Sequence, residues 1–91
     1  MQKIYTVKDL VAETHMQPFF SPTNGAAMRA FQEAAADPEH NFYKYPDDYV
    51  LYEIGEYHET EAACIPLDNN VRLGSAKEFQ AQTPPMDSKQ S

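Results

Sequence analysis

At 91 residues the chain has room for one hydrophobic core, and seven Lys and Arg against fourteen Asp and Glu leave a formal charge of −7 that opposes broad binding to phosphate backbones. The single cysteine, Cys64, excludes an intrachain disulfide, and no run approaches the roughly 20 apolar residues needed to span a bilayer. The start of the chain mixes acids, polar residues and Pro18, so the expectation is a protein without a signal peptide or membrane association, held in a reducing cytoplasm.

Lys3 to Lys8 alternates, with Ile4, Thr6 and Lys8 on one side and Tyr5 and Val7 on the other, and predicts a first strand. Asp9 to Gln17 fits neither period and reads as a connection, with room for a helical turn, ended by Pro18. Ser21-Pro22-Thr23-Asn24 is a capping cluster that starts a helix running to about Ala36, with Ala27, Ala30, Phe31 and Ala34 on one stripe and Asp37-Pro38 as the stop. Arg29 and Glu33 have the spacing of a surface ion pair. Glu39 to Pro46 reads as a polar and aromatic loop.

Tyr49 to Tyr57 predicts the clearest strand, with Val50, Tyr52 and Ile54 facing one way and Tyr49, Leu51, Glu53 and Tyr57 the other. Gly55 inside it signals a bulge or a close backbone approach. His58 to Glu61 closes a hairpin into a strand over Ala62 to Leu67, which Pro66 confines to an edge or brings to an early end. Asp68-Asn69-Asn70 reads as a turn before a short strand over Val71 to Leu73, and Ser75 as the cap of a helical turn through Lys77-Glu78-Phe79. The folded part is expected over residues 1–79, one α+β domain in the order strand, helix, strand, strand. Its helix packs on a small, largely antiparallel sheet, and a disordered tail follows from Gln80.

Little in the sequence carries chemistry. His15, His40 and His58 lack ligand spacing, and Gly25, Gly55 and Gly74 are isolated, so no metal site, phosphate loop or cofactor is expected. Cys64, between Ala63 and Ile65, reads as a buried structural thiol. No carboxylate pair marks an acid–base site, and no enzyme activity is expected. Asp47, Asp48, Glu53, Glu56, Glu59, Glu61 and Asp68 follow one another with no Lys or Arg between Lys44 and Arg72, an acidic surface suited to solvation or to a basic partner. Phe42, Tyr43, Tyr45, Tyr49, Tyr52 and Tyr57 cluster, and such rings serve core or interface burial, or base stacking when cations accompany them.

Three segments in order are distinctive: Gln17-Pro18-Phe19-Phe20-Ser21-Pro22, then Gly25-Ala26-Ala27-Met28-Arg29-Ala30-Phe31, then Tyr45-Pro46-Asp47-Asp48-Tyr49-Val50-Leu51-Tyr52-Glu53-Ile54-Gly55. The set resembles the small nonstructural protein of gokushovirus-type microviruses, single-stranded DNA phages, over roughly Ile4 to Phe79. The resemblance implies a phage accessory protein of the infected bacterial cytoplasm that regulates or supports viral single-stranded DNA synthesis. It carries over no catalytic or ligand residues.

The charge then favours contact with the phage replication-initiation protein or a host replication factor over direct contact with single-stranded DNA. Partner-contact candidates are Arg29, Asp47, Asp48, Tyr52, Glu53 and Glu56, with Arg29 either pairing with Asp47 or Asp48 or left for a partner. If nucleic acid binds, Lys3, Lys8, Arg29 and Lys44 are the candidates. A homodimer through the tyrosine-bearing strand or an open sheet edge is a further expectation. The alternatives are a structural or morphogenetic protein of the virion, and an acidic inhibitor of a host DNA-binding factor.

Overall fold

The alternation of Lys3 to Lys8 is realised as strand β1 (Gln2–Asp9) of a computed structural model that describes residues 1–82; Tyr5 and Val7 are buried under the helices and Ile4 and Thr6 lie on the opposite face. The connection expected over Asp9 to Gln17 contains a tight turn and a strand. Asp9 Oδ1 accepts from the N–H groups of Val11 and Ala12 at 3.0 and 3.1 Å, and the chain returns as β2 (Thr14–His15). It breaks step at Gln17-Pro18 and resumes as β3 (Phe19–Ser21); both short strands pair antiparallel with β1, His15 opposite Lys8 and Phe20 opposite Ile4. Thr6 Oγ1 donates to the Met16 carbonyl at 2.7 Å and ties the break to β1.

Helix α1 (Asn24–Ala35) starts at the expected capping cluster, with Thr23 Oγ1 accepting from the Ala26 N–H at 3.1 Å. The buried row is Ala27, Phe31 and Ala35, whereas Ala30, assigned to the stripe by sequence, is exposed. Residues four apart stack along one ridge, so the i, i+4, i+8 row enters the core and Ala30 rotates out. The loop expected over Glu39 to Pro46 contains the single-turn helix α2 (Asn41–Lys44), capped by His40 Nδ1, which accepts from the Phe42 N–H at 3.1 Å. A 3-10 turn (Pro46–Asp48) leads into β4 (Tyr49–His58).

The two short strands expected after the hairpin are one long strand, β5 (Ala63–Ser75). Gly55 faces Pro66 and Glu53 faces Val71, so residues 67–70 are set against Ile54 alone. Asp68-Asn69-Asn70 therefore bulges within a continuing ladder, which resumes on both sides of it, and does not end a strand. Helix α3 (Ala76–Gln82) follows. Gln80, expected to begin the tail, lies inside this helix, and its side-chain amide donates to the Ala35 carbonyl at 2.8 Å. Residues 83–91, the rest of the expected tail, lie outside the described residues.

The sheet is antiparallel throughout, in the order β2-β1-β4-β5 with β3 beside β1, and the helices pack on one of its faces. The core between them is built of Tyr5, Val7, Ala27, Phe31, Ala35, Phe42, Leu51, Ala76 and Phe79. The expected α+β class is thus the observed one, with two strands, β2 and β3, and one short helix, α2, that the sequence did not show.

The α3 start is a capping box: the Glu78 N–H donates to Ser75 Oγ, which donates back to the Glu78 carboxylate, both at 3.2 Å. Arg72 closes on the same carboxylate with both guanidinium NH groups. These contacts, Arg72 foremost, hold the Glu78 carboxyl below the usual value of 4.5. A carboxyl depressed on folding stabilises the fold above its unfolded pKa, and the contribution is lost as pH falls through the folded one. The urea midpoint of the native chain should therefore exceed that of Glu78→Gln at pH 7, the two converging as the pH is lowered below about 4.5. Parallel midpoints at every pH would show that the contact adds nothing.

Candidate functional site

The position of the exposed rings is set by one irregularity in β4. Tyr5 faces Glu53 while its neighbour Ile4 faces Gly55, so Ile54 is an extra residue that advances the pleat by one. Tyr57, expected on the face of Leu51 and Glu53, is thereby turned to the face of Ile4, opposite Gln2. There it meets Phe20 edge to face, ring centroids 5.5 Å apart. Gly55 was the only hint of this in the sequence, and it marked a bulge without saying which ring would change sides.

The face of the sheet away from the helices is assembled by register from Ile4, Thr6 and Lys8 of β1, His15 and Phe20 of β2 and β3, Val50, Tyr52 and Tyr57 of β4, and Cys64, Pro66 and Arg72 of β5. A groove open to solvent crosses it, lined by Thr6, His15, Met16, Pro18, Ile54, Pro66 and Asn70. Tyr52, half-buried and directly opposite Thr6 and Arg72, stands on one side of this groove along β4, and the Phe20–Tyr57 pair on the other. Cys64, expected to be buried, is exposed here, because β5 is an edge strand and no further strand or helix of the described residues lies over it on this face.

The acids do not form one surface. Glu53 is 7 % exposed and bonded to Lys3 Nζ at 3.4 Å on the helix side, so neither is available as the surface contact expected of it. Asp47 and Asp48 precede β4, and burial, with the carboxylates of Asp9 and Asp48 adding to it, pushes the Tyr49 hydroxyl up. Glu56, Glu59 and Glu61 gather at the other end of β4: Glu56 contacts His58 at 3.2 Å, and the N-terminal ammonium of Met1 lies 2.9 Å from Glu59 and lowers its carboxyl. Ten residues of β4 separate the clusters by roughly 30 Å at the rise of a strand.

The basic candidates do not converge either. Arg29 is exposed on α1 and pairs with neither Glu33 nor Asp47 nor Asp48 among the described residues; Lys77 takes Asp47 instead, at 3.6 Å. Lys44 is on α2, on the helix side, and Lys8 alone of the four is on the open face. The exposed apolar residues Leu10, Val11 and Tyr45, which the sequence did not single out, surround the Asp47–Asp48 end, where the Leu10 N–H donates to the Asp48 carbonyl at 2.8 Å. Among the described residues no group of three His, Cys, Asp or Glu is placed to hold a metal ion, and no helix is long and apolar enough to cross a membrane.

The fold is that of a small α+β protein whose sheet carries its helices on one face and, among the described residues, an open groove on the other. A family model described as Phage ORF5 protein matches residues 2–79, so the chain belongs to that family of bacteriophage proteins. Searches of curated proteins and of solved structures found no match.

Proposed function

We propose that this phage protein is a nonstructural accessory of a gokushovirus-type microvirus, supporting viral single-stranded DNA synthesis in the cytoplasm of the infected bacterium without a catalytic step of its own. It does so by docking on a basic surface of the replication-initiation protein or of a host replication factor. The observation that carries this reading is the end of the sheet where Leu10, Val11 and Tyr45, 43 %, 73 % and 56 % exposed, adjoin Asp9, Asp47 and Asp48. Apolar anchors within a charged rim are the anatomy of a protein interface, and a carboxylate rim selects a basic partner.

Both outer strands are poor templates for strand addition, which favours docking through side chains. Pro66 removes a donor from β5 and residues 67–70 break its register, while Gln17-Pro18 interrupts the opposite edge. The test is capture of the tagged chain from infected cells, with nuclease present, alongside the Val11→Asp and Asp47→Asn/Asp48→Asn variants. The initiator or a host replication protein should come with the native chain and be lost with both variants. Equal recovery with the variants, or its disappearance on nuclease treatment of the native sample, would count against docking through this end.

A further inference from the structure

The groove on the face away from the helices encloses about 360 Å³ and holds no charged side chain. Met16, Pro18, Ile54 and Pro66 give it apolar walls, and Thr6, His15 and Asn70 are its polar residues. The Thr6 hydroxyl is spent on the Met16 carbonyl, whereas the His15 imidazole and the Asn70 amide have no hydrogen-bond or ion-pair partner among the described residues. A volume at the lower end of the range for ligand clefts, about 300–1,000 Å³, takes a few side chains and not a helix some 10 Å across. Residues 83–91 lie outside the described structure, and they begin Thr83-Pro84-Pro85-Met86, the one Pro-Pro step in the sequence.

We propose that Pro84-Pro85-Met86 of a second copy of the chain fills this groove, so that two copies exchange tails. A Pro-Pro segment favours the polyproline II form, which makes no backbone hydrogen bonds of its own and docks in apolar and aromatic grooves at little cost in ordering. Here the pyrrolidine rings and the methionine meet Met16, Pro18, Ile54 and Pro66, with Tyr52 beside them, and the unpaired His15 and Asn70 groups donate to the segment's carbonyls. Such a ligand needs no strand edge, which suits a sheet whose outer strands are both interrupted. Nor does it need charge, since the groove is neutral and Asp87 and Lys89 of the tail cancel.

The tail cannot fill the groove of its own chain. Helix α3 lies on the opposite face, where Phe79 packs on Phe31 and the Gln80 amide reaches the Ala35 carbonyl. The way round the edge of the sheet is on the order of 20 Å, the thickness of the helix layer and of the sheet together. Pro84 and Met86 follow Gln82 by two and four residues, about 7 and 14 Å of extended chain. Exchange between copies meets this limit, and it is reciprocal: once one tail is seated, the second seats within the same pair, in an isologous dimer.

The inference is independent of docking through the Leu10–Asp48 end, which shares no residue with the groove, so either can fail alone. The purified full-length chain is sedimented at concentrations from about 10 to 500 µM, and its sedimentation coefficient should rise from that of a monomer to that of a dimer. Pro84→Ala/Pro85→Ala should weaken the dimer ~10-fold or more, and so should Met16→Lys, which places an ammonium in the groove at a position 45 % exposed. An equimolar mixture of the two variants keeps one intact groove and one intact tail per pair, and should dimerise more strongly than either variant alone. The amide resonances of Thr6, Ile54 and Asn70 should shift with concentration in the native chain and stay fixed in Pro84→Ala/Pro85→Ala. Each chain carries −7, so added salt, which screens the repulsion, should strengthen the dimer.

Far-ultraviolet circular dichroism of each variant separates loss of association from loss of fold. A chain monomeric at every concentration, a dimer that either variant leaves intact, a mixture no stronger than its components, or a dimer weakened by salt would each overturn the inference. So would groove resonances that Pro84→Ala/Pro85→Ala shifts equally at every concentration, the mark of a tail held by its own chain. A native chain that stays monomeric while an added polyproline peptide shifts those resonances would give the groove to a foreign partner and overturn the exchange.

Discussion

Phe31→Ala is expected to lower the stability of the domain by about 3–5 kcal/mol, the range for truncating a buried phenylalanine. Phe31 is 3 % exposed, with its ring 5.1 Å from that of Phe42 and 5.4 Å from that of Phe79, so it joins α1 to both other helices at one point. Removing it leaves a cavity walled by two rings that belong to separate short helices, neither of which holds together without tertiary contacts. A domain of this size has on the order of 4–12 kcal/mol to lose. Urea denaturation followed by circular dichroism should show the midpoint lowered in proportion to that loss. A loss below ~1.5 kcal/mol would mean that α2 and α3 collapse into the space, and that the aromatic cluster is less constrained than its geometry states.

Gly55→Ala should cost about 2–3 kcal/mol, although it adds a single methyl group. A Cβ at this position would lie 2.8 Å from the Ile65 carbonyl oxygen and 3.4 Å from Pro66 Cα, both backbone atoms of the neighbouring strand. A side chain could swing away from such a contact; a paired strand can yield only by separating from β4. Gly25→Ala is the control, since its Cβ meets nothing closer than Thr23 Oγ1 at 3.9 Å, and in the first turn of α1 it should stabilise by up to about 1 kcal/mol. Denaturation midpoints for the two variants should therefore move in opposite directions. Equal and small shifts would show that β4 and β5 separate here at little cost, and would weaken the case for a fixed groove beside Ile54.

Where local pattern and tertiary need agreed, the sequence was read correctly: β1 and β4 by alternation, α1 by its cap and its small residues, the start of α3 by Ser75. It misled where a residue's local habit was overruled by its neighbours. Asp68-Asn69-Asn70 has the composition of a turn, yet the ladder between β4 and β5 resumes on both sides of it and holds it as a bulge. Gln80 has the composition of a tail, yet its amide reaches the Ala35 carbonyl and holds the helix to Gln82. Cys64 has the habit of a buried residue, but the strand that carries it lies at an edge.

The candidate sites were less legible than the fold, because adjacency along the chain is a poor guide to adjacency on a pleated sheet. The acids from Asp47 to Asp68 look continuous in sequence. In the fold Glu53 is buried against Lys3, Asp68 lies on the β5 bulge, and the others are divided between the two ends of β4. The four basic candidates were chosen for charge alone, and only Lys8 reaches the open face.

By itself the sequence determined the size of the core, the acidity, the order of the principal elements and the α+β class, because these follow from composition and from hydrophobic period. Only the tertiary structure decided which rings share a face and which carboxylates leave it. The extra residue at Ile54 reverses every side chain that follows it in β4, and a pleat of period two converts that one-residue step into a change of surface.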